Sequence, residues 1–287
     1  MRIPFVATLC VAATAMGALA APSTVTAVNM PAWIEHNAQM RPLAPGMRLD
    51  SHDIIRTGHG ARVLISLPEG SQVKLGEDAV FRLENLNVSD GSKTPFTATL
   101  DVIKGAFRFT TALLAKQRQR EVAIHVATIT AGIRGTDIWG KSDNERDLVC
   151  LLEGKISVAH AGESALTMDE PDSFFVVPKD QPAQPVAKVD PAKVAQEWAP
   201  QTEPMPGHGL AMAGSHHRLT VATVNSQAEA LNWYDTLRSA GYDAKLHPVG
   251  RGRFEIRIEM LASEQDAAAL GAQLHEVMKT PESRVSP

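Results

Sequence analysis

Few residues in this chain have the types and spacing that support bond-making chemistry. Cys150 sits inside Leu148-Val149-Cys150-Leu151-Leu152. That apolar run is typical of a buried strand, where a thiol behaves as a small hydrophobe. No Ser, His or carboxylate motif stands beside it to activate it as a nucleophile. Arg134-Gly135-Thr136-Asp137 admits two readings. Arg134 and Asp137 act as ligand groups, or Thr136 and Asp137 bond local backbone where a strand begins and Arg134 pairs with a carboxylate; the residues favour the second. His208, His216 and His217 fall in or beside a Pro- and Gly-rich stretch, where solvated imidazoles are expected rather than metal ligands. Nothing has the spacing of a general acid–base pair or of a metal site. The expectation is a non-enzymatic protein with no cofactor and no metal.

Composition agrees. The 287 residues are enough for two ordinary domains. With 44% hydrophobic and 21% charged residues, the chain reads as globular. The net charge of −4 lacks the basic footprint that phosphate binding requires, so no nucleic-acid partner is expected. Aromatics at 5% exclude a large aromatic cleft for stacking sugars.

The first twenty residues carry the order of a secretory signal. Arg2 gives a positive start, Ile3 to Ala15 an apolar stretch, and Ala18-Leu19-Ala20 a small-x-small cleavage pattern before Ala21-Pro22. Cleavage removes Cys10 and leaves Cys150 without an internal disulfide partner. The apolar stretch is shorter than the roughly 20 residues that span a bilayer. The expected mature chain is exported, periplasmic or cell-wall associated, with no transmembrane segment.

From about residue 25 to 177 the pattern is one of short strands. Arg62 to Leu67 ends at the turn Pro68-Glu69-Gly70, and Gln72-Val73-Lys74-Leu75 alternates before Gly76. Thr99 to Ile103 and Ala106 to Phe109 flank Gly105, and Val122 to Val126 alternates again. Leu148 to Leu152, Glu153-Gly154 and Ile156 to Val158 read as a hairpin, while Thr110 to Gln119 reads as a short helix or a loop. Strands at this spacing predict an all-β sandwich, roll or solenoid-like domain.

Several motifs in series resemble the FecR domain. They are Trp33, Leu43 and Gly46; Leu49-Asp50-Ser51-His52-Asp53-Ile54-Ile55-Arg56-Thr57-Gly58; Ala61-Arg62-Val63; Gly70-Ser71-Gln72-Val73-Lys74-Leu75-Gly76; Gly105-Ala106-Phe107-Arg108; Thr128, Ala131 and the Arg134 to Asp137 run; and Leu152-Glu153-Gly154-Lys155-Ile156-Ser157-Val158. The physics of these residues is mostly that of strands and tight turns. Gly58 and Gly70 are expected where the chain needs a positive φ, and the Ser71 hydroxyl is expected to satisfy backbone at its turn. Some FecR-type proteins are membrane-spanning anti-sigma regulators. This chain shows no cytoplasmic helical segment of that kind, so the resemblance implies an exported FecR-like domain, residues 25–199, that binds a ligand, an envelope protein or a polymer.

Prolines from Pro178 to Pro206 and glycines from Gly207 to Gly214 then interrupt regular structure. Pro191 to Trp198 is expected to dock Trp198 on the β domain, and residues 200–215 to form a flexible linker. The last 72 residues change period. Arg218 to Val224 alternates as a strand, and Ser226 caps a helix carrying Ala230, Leu231, Tyr234 and Leu237. Gly241 ends that helix. Two strands follow around the turn Gly250-Arg251-Gly252, then a helix capped by Ser263 and carrying Ala267, Leu270, Leu274 and Val277, and a last strand near Arg284-Val285. The β-α-β-β-α order predicts a small α+β module of split βαβ type over residues 216–287.

That order, with Ala228-Glu229-Ala230, Ala240-Gly241-Tyr242-Asp243-Ala244 and Phe254-Glu255-Ile256-Arg257-Ile258, resembles the sporulation-related repeat (SPOR) domain. The resemblance implies binding of peptidoglycan glycan strands that lack stem peptides, on the open face of the sheet. If Leu219, Val221, Ile256 and Ile258 face the helices, alternation turns Thr220, Ala222, Lys245, His247, Glu255 and Arg257 outward as the glycan-binding set. Trp233 reads as a stacking or a packing residue. A ferredoxin-like RNA-binding sheet would instead need exposed aromatics and excess positive charge; this module has eight basic and nine acidic residues. Two functions follow: a wall-anchored protein holding a FecR-like domain on peptidoglycan, or a periplasmic component of a FecR-type signalling system.

Overall fold

The computed structural model describes residues 22–87, 96–111, 120–133 and 135–287. The expected signal segment, Arg134 and most of Thr110 to Gln119 lie outside these. Among the described residues no helix is long and apolar enough to cross a membrane.

The strand-rich part is built from two sheets. In the first, β1 (Ser23–Asn29) pairs with β6 (Arg62–Ser66). Beyond it lie β7 (Gln72–Leu75), β9 (Phe96–Thr110), β12 (Asp137–Ser142), β13 (Arg146–Glu153), β16 (Ser173–Pro178) and β17 (Ala187–Lys188). The other edge of β1 takes β4 (Arg48–Leu49) and β18 (Leu210–Met212). The second sheet runs β3 (Gln39–Pro42), β2 (Ala32–His36), β5 (Ile54–Thr57), β8 (Val80–Asn87), β9, β10 (Arg120–Val126), β11 (Ile129–Ile133), β14 (Ile156–His160) and β15 (Leu166–Met168).

Strand β9 belongs to both sheets. Its first half pairs with β8 and, in parallel, with β10; its second half pairs with β7 and β12. Gly105 is the crossing point, with φ +91°, and a Cβ there would lie 2.5 Å from Ala79 Cα. Across it the inward parity switches: Phe96, Ala98, Leu100 and Val102 are buried before it, Phe107 and Phe109 after it. The two pieces expected on either side of Gly105 are thus one bent strand. The core between the sheets is aliphatic and aromatic, including Phe81, Phe107, Phe109, Phe175, Ile34, Ile65, Leu75, Leu83, Leu100 and Ile124, all fully buried. Burial of this apolar area is the main driving force for the domain.

The expected hairpin at residues 148–158 is not one. Strand β13 pairs with β12 and β16, whereas β14 pairs with β11 and β15. Glu153-Gly154-Lys155 carries the chain from the first sheet to the second. Gly154 takes φ +94°, and a Cβ there would meet the Gly135 carbonyl oxygen at 2.7 Å.

The segment after β17 covers the outer side of the first sheet. Asp190 caps α1 (Pro191–Lys193), and the helical turns continue to Gln201. Trp198 stacks on Trp139 with centroids 5.0 Å apart and meets Phe174 edge-on at 6.3 Å. Val194 adds to an apolar cluster with Ala106, Leu148, Cys150 and Val176. Trp198 thus docks on the β domain as expected. Cys150 is fully buried there, and burial pushes its thiol up to about 12, so it carries no nucleophilic thiolate at neutral pH.

Residues 200–215 correct the expectation of a flexible linker. Glu203 bonds both Lys74 (2.6 Å) and Arg108 (3.0 Å). Buried Asn29 donates to the carbonyls of Met205 (3.0 Å) and His208 (3.1 Å) and accepts from Met205 N (2.9 Å). Asp266 accepts from Gly207 N (2.7 Å) and Leu210 N (2.9 Å). Strand β18 then pairs with β1 on one side and with Leu261 on the other. The Pro and Gly content that signals flexibility instead supplies the tight turns this route needs, because buried side chains hold its backbone groups.

The C-terminal residues follow the order β19 (His217–Val224), α2 (Gln227–Ser239), β20 (Ala244–Gly250), β21 (Arg253–Leu261), α3 (Glu264–Met278) and β22 (Arg284–Ser286). The sheet order is β20-β21-β19-β22, all antiparallel. Ser226 and Ser263 cap the two helices, accepting from Glu229 N and Asp266 N. Ala230, Leu237, Ala267, Leu270 and Leu274 are buried as the stripe requires; Leu231 and Val277 are instead exposed, and Trp233 and Met278 pack on the core. At the end of α2, Gly241 takes φ +85° and comes so near Trp33 that a Cβ would lie 2.7 Å from its ring. Trp33 Nε1 also donates to the Ser239 carbonyl at 3.2 Å. Trp33, a residue of the FecR-like opening, thereby seats the C-terminal module.

Candidate functional site

The strongest candidate surface is the sheet face of the C-terminal module opposite its helices. Alternation on β20 and β21 places Lys245, His247, Glu255, Arg257 and Glu259 there, because Ile256 and Ile258 between them are fully buried under α2 and α3. Four of the six expected residues are among these, and Thr220, opposite Arg257, shares their register as the fifth.

Ala222 does not, and this is a correction. The pairing of β19 with β21 slips between Thr220 and Ala222: Thr220 faces Arg257, while Ala222 faces Ile256 and joins the core at 2% exposure. A bulge adds one residue to one strand and flips the parity beyond it. Thr223, opposite Glu255, takes the outward place and is exposed. Thr220 keeps its outward register but is 4% exposed, enclosed by neighbouring side chains. Its direct reach to a ligand is therefore lost.

The rest of the face is a set of ion pairs. Arg257 clasps Glu255 through Nε (2.8 Å) and Nη2 (2.5 Å), and Arg284 on β22 reaches the other oxygen of Glu255 at 3.2 Å. The hydrogen bonds from Arg257 hold the Glu255 carboxyl below the usual range. On the β20 side, Glu259 lies 3.1 Å from Lys245 Nζ and 3.2 Å from His247 Nε2. Asp243 next to them goes the other way: burial raises its pKa, only partly offset by Lys245 at 3.9 Å and Arg238 at 3.3 Å. The face therefore presents donors and acceptors in fixed positions, with Lys245, His247 and Arg257 partly exposed. Such an array suits hydroxyl and amide groups better than a bare charge, since each cation already has an anion.

Arg284, Glu259 and Thr223 were not among the expected residues. Alternation along β21 would have found Glu259; Thr223 and Arg284 depend on a bulge and on a three-residue strand.

In the β domain, motif residues hold backbone. Asp53 is buried, takes His36 Nδ1 at 2.5 Å and accepts from Asp50 N at 2.8 Å. Thr57 Oγ1 donates to the Gly76 carbonyl (2.7 Å) and accepts from Ala79 N (2.8 Å). Gly58 is a glycine through close approach, not positive φ: a Cβ would lie 2.8 Å from Pro31 Cγ. Gly70 does take a positive φ, +94°, but the Ser71 hydroxyl is buried without a partner among the described residues. Asp137 makes a two-point pair with Arg108 (2.9 and 2.7 Å), and its hydrogen bonds raise the Arg108 pKa. Asp137 is thus an anion held by side chains and not the expected cap on local backbone, and the Thr136 hydroxyl, also expected to bond backbone, is buried without a partner among the described residues.

Asp147 is a second such anion, fully buried, bonded by Lys179 (2.6 Å), Thr128 Oγ1 (2.6 Å) and Ser142 (2.8 Å). Burial works against its charge, but these donors outweigh it and hold its pKa below the usual range. His36, Asp50 and Asp53, and separately His59, Glu77 and Asp78, bring ligand-type atoms together; the Asp53 and Glu77 carboxylates already accept hydrogen bonds, and Asp78 lies against exposed His59.

Comparison with known families matches residues 53–157 to the FecR protein family. This stretch is a FecR domain. It spans β5 to the start of β14, and therefore both sheets with the Gly105 and Gly154 crossings between them. Among solved structures, two crystal structures of a Parabacteroides distasonis protein provisionally described as an anti-sigma factor are similar in part. One shares 16% identity over 78% of this chain and 92% of its own, with a TM-score of 0.40. The other shares 15% over 81% and 96%, also with a TM-score of 0.40. No curated protein matches the chain.

Proposed function

We propose that this is an exported, non-enzymatic envelope protein in which the FecR domain binds a partner while the C-terminal sheet face holds it on peptidoglycan glycan strands. One observation carries the reading: the face of β20, β21, β19 and β22 is lined by partly exposed ion pairs, Lys245 and His247 with Glu259 and Arg257 with Glu255, with both helices on the opposite side. Charged groups fixed by one another keep spare donors and acceptors for sugar hydroxyls and N-acetyl groups at little entropic cost. Lys245, His247 and Arg257 are the residues assigned to contact; buried Glu255 orients Arg257, Thr220 supports the face from below, and Ala222 plays no direct part.

The regulatory alternative, a periplasmic component of a FecR-type signalling system, draws on the FecR match at residues 53–157. In that reading the FecR domain meets an envelope sensor and the C-terminal face is a protein contact. Co-sedimentation of the mature chain with purified sacculi, before and after amidase removal of stem peptides, separates the two. Wall anchoring requires retention that rises on denuded wall and drops at least tenfold in the Lys245→Ala, Arg257→Ala double variant. A chain that stays in the supernatant with both preparations leaves the regulatory reading.

A further inference from the structure

The FecR domain carries a groove that the proposed wall contact does not use. It lies on the outer face of the second sheet, has a volume of about 710 Å³, and is lined by Thr97 and Thr99 of β9, Glu121 and Ala123 of β10, Ser157 of β14 and Thr167 of β15. Its volume falls in the range of small-ligand sites.

The register explains its shape. Thr99 faces Ala123, Ala123 faces Gly132, Gly132 faces Ser157 and Ser157 faces Thr167, so the groove crosses five neighbouring strands. At roughly 4.8 Å per strand its floor is about 19 Å long. Buried Val122, Ile133 and Ile156 form the layer beneath. Gly132 is closely covered, since a Cβ there would meet Ser157 Oγ at 2.6 Å.

Three features of the lining select a ligand class. Its hydrogen-bonding groups are mainly hydroxyls, each able to donate and to accept. Its described charges lean acidic: Glu121 and Lys155 are both at the rim, Lys155 lies 3.3 Å from Asp169, and farther along β10 His125 lies 3.0 Å from Asp101, which disfavours an anionic ligand. Its floor is already paired from β9 through β10, β11 and β14 to β15, so a chain lying across these strands finds main-chain partners only at the outer edge of β15, away from the floor where strand addition would have to occur.

We infer that this groove is a binding site for a short neutral oligosaccharide, lying across the strands and held by the hydroxyls of Thr97, Thr99, Ser157 and Thr167. The site is separate from the C-terminal face and does not depend on that face binding the wall. With no aromatic ring in the lining among the described residues, recognition runs through hydroxyl edges rather than stacking.

The test is an NMR titration of the mature chain with chitotetraose and cellotetraose, and with a negatively charged oligouronate of the same length as control. Binding at the groove requires amide shifts confined to Thr97, Thr99, Ala123, Gly132, Ser157 and Thr167 with a neutral sugar, at least tenfold weaker with the oligouronate, and lost in Ala123→Phe. That variant fills the floor from a partly exposed position; Thr167→Val, on the exposed edge strand, is the second variant and weakens binding severalfold without touching the floor. Shifts at Lys245, His247 and Arg257 alone place sugar on the C-terminal face and overturn the groove while sparing the wall-binding proposal. No shift with either neutral sugar, or an equal response to the oligouronate or to an extended peptide, also overturns it.

Discussion

The two halves of this protein use polar residues in opposite ways. In the FecR domain, such residues are held by fixed donors: Asp53 and Thr57 bond backbone, Asp137 is clasped by Arg108, and Asp147 is bonded by Lys179, Thr128 and Ser142. In the C-terminal module, comparable residues stand on one side of a sheet and pair with one another. A carboxylate surrounded by fixed donors stabilises a fold. The same group in a half-exposed lattice costs little to form and remains able to exchange partners. The difference separates motif residues that mark architecture from those that mark a surface.

That contrast can be broken most severely at the sheet crossing. Gly105→Ala must place a Cβ 2.5 Å from Ala79 Cα on a residue with φ +91°. Thermal unfolding is expected to show a loss of about 4 kcal/mol. A change under about 1 kcal/mol would mean that β9 does not bend there as described.

Next is the bulge. Ala222→Asp buries a carboxylate in the module core and should cost about 3 kcal/mol, whereas Thr223→Asp, one residue on, should change stability by less than about 0.5 kcal/mol. Equal losses would restore strict alternation and return Ala222 to the outer face.

The join between the halves is tested by Asn29→Ala. Buried Asn29 holds Met205 and His208 through three bonds. Its loss is expected to cost about 2 kcal/mol and to open residues 200–215 to hydrogen exchange. Unchanged exchange would show that strand β18 alone fixes this route.

The smallest effect is a difference in sign with pH. The folded-state pKa of Asp147 is depressed, so its stabilisation is present above the unfolded carboxylate pKa and is lost as pH falls through the folded value. The pKa of Asp243 is raised by burial, so its charged form opposes folding above the folded value, and that opposition disappears as pH falls toward the unfolded value. Between neutral pH and the acid limit, Asp147→Asn should therefore weaken acid sensitivity and Asp243→Asn should strengthen it, as read by chemical denaturation at several pH values. The same direction in both variants would erase the distinction drawn here.

Local pattern carried a large part of the fold. The strands around residues 62–75, the serine caps of α2 and α3, the docking of Trp198 and the strand-helix order of the last 72 residues all follow from turn chemistry and periodicity. Five of the six expected surface residues share a face for the same reason. The groove on the second sheet was not legible, because its lining comes from five strands whose extremes, Thr97 and Thr167, are seventy residues apart in sequence.

The sequence by itself determined which segments extend, where helices begin, and that Cys150 is buried, since these depend on neighbours within a few positions. The tertiary structure decided where β9 and the 153–155 turn change sheet, that residues 200–215 are held rather than loose, and that Ala222 turns inward. Those outcomes depend on contacts between distant strands: a crossing or a bulge is set by which backbone approaches which, and local alternation is blind to an added residue once the partner strand absorbs it.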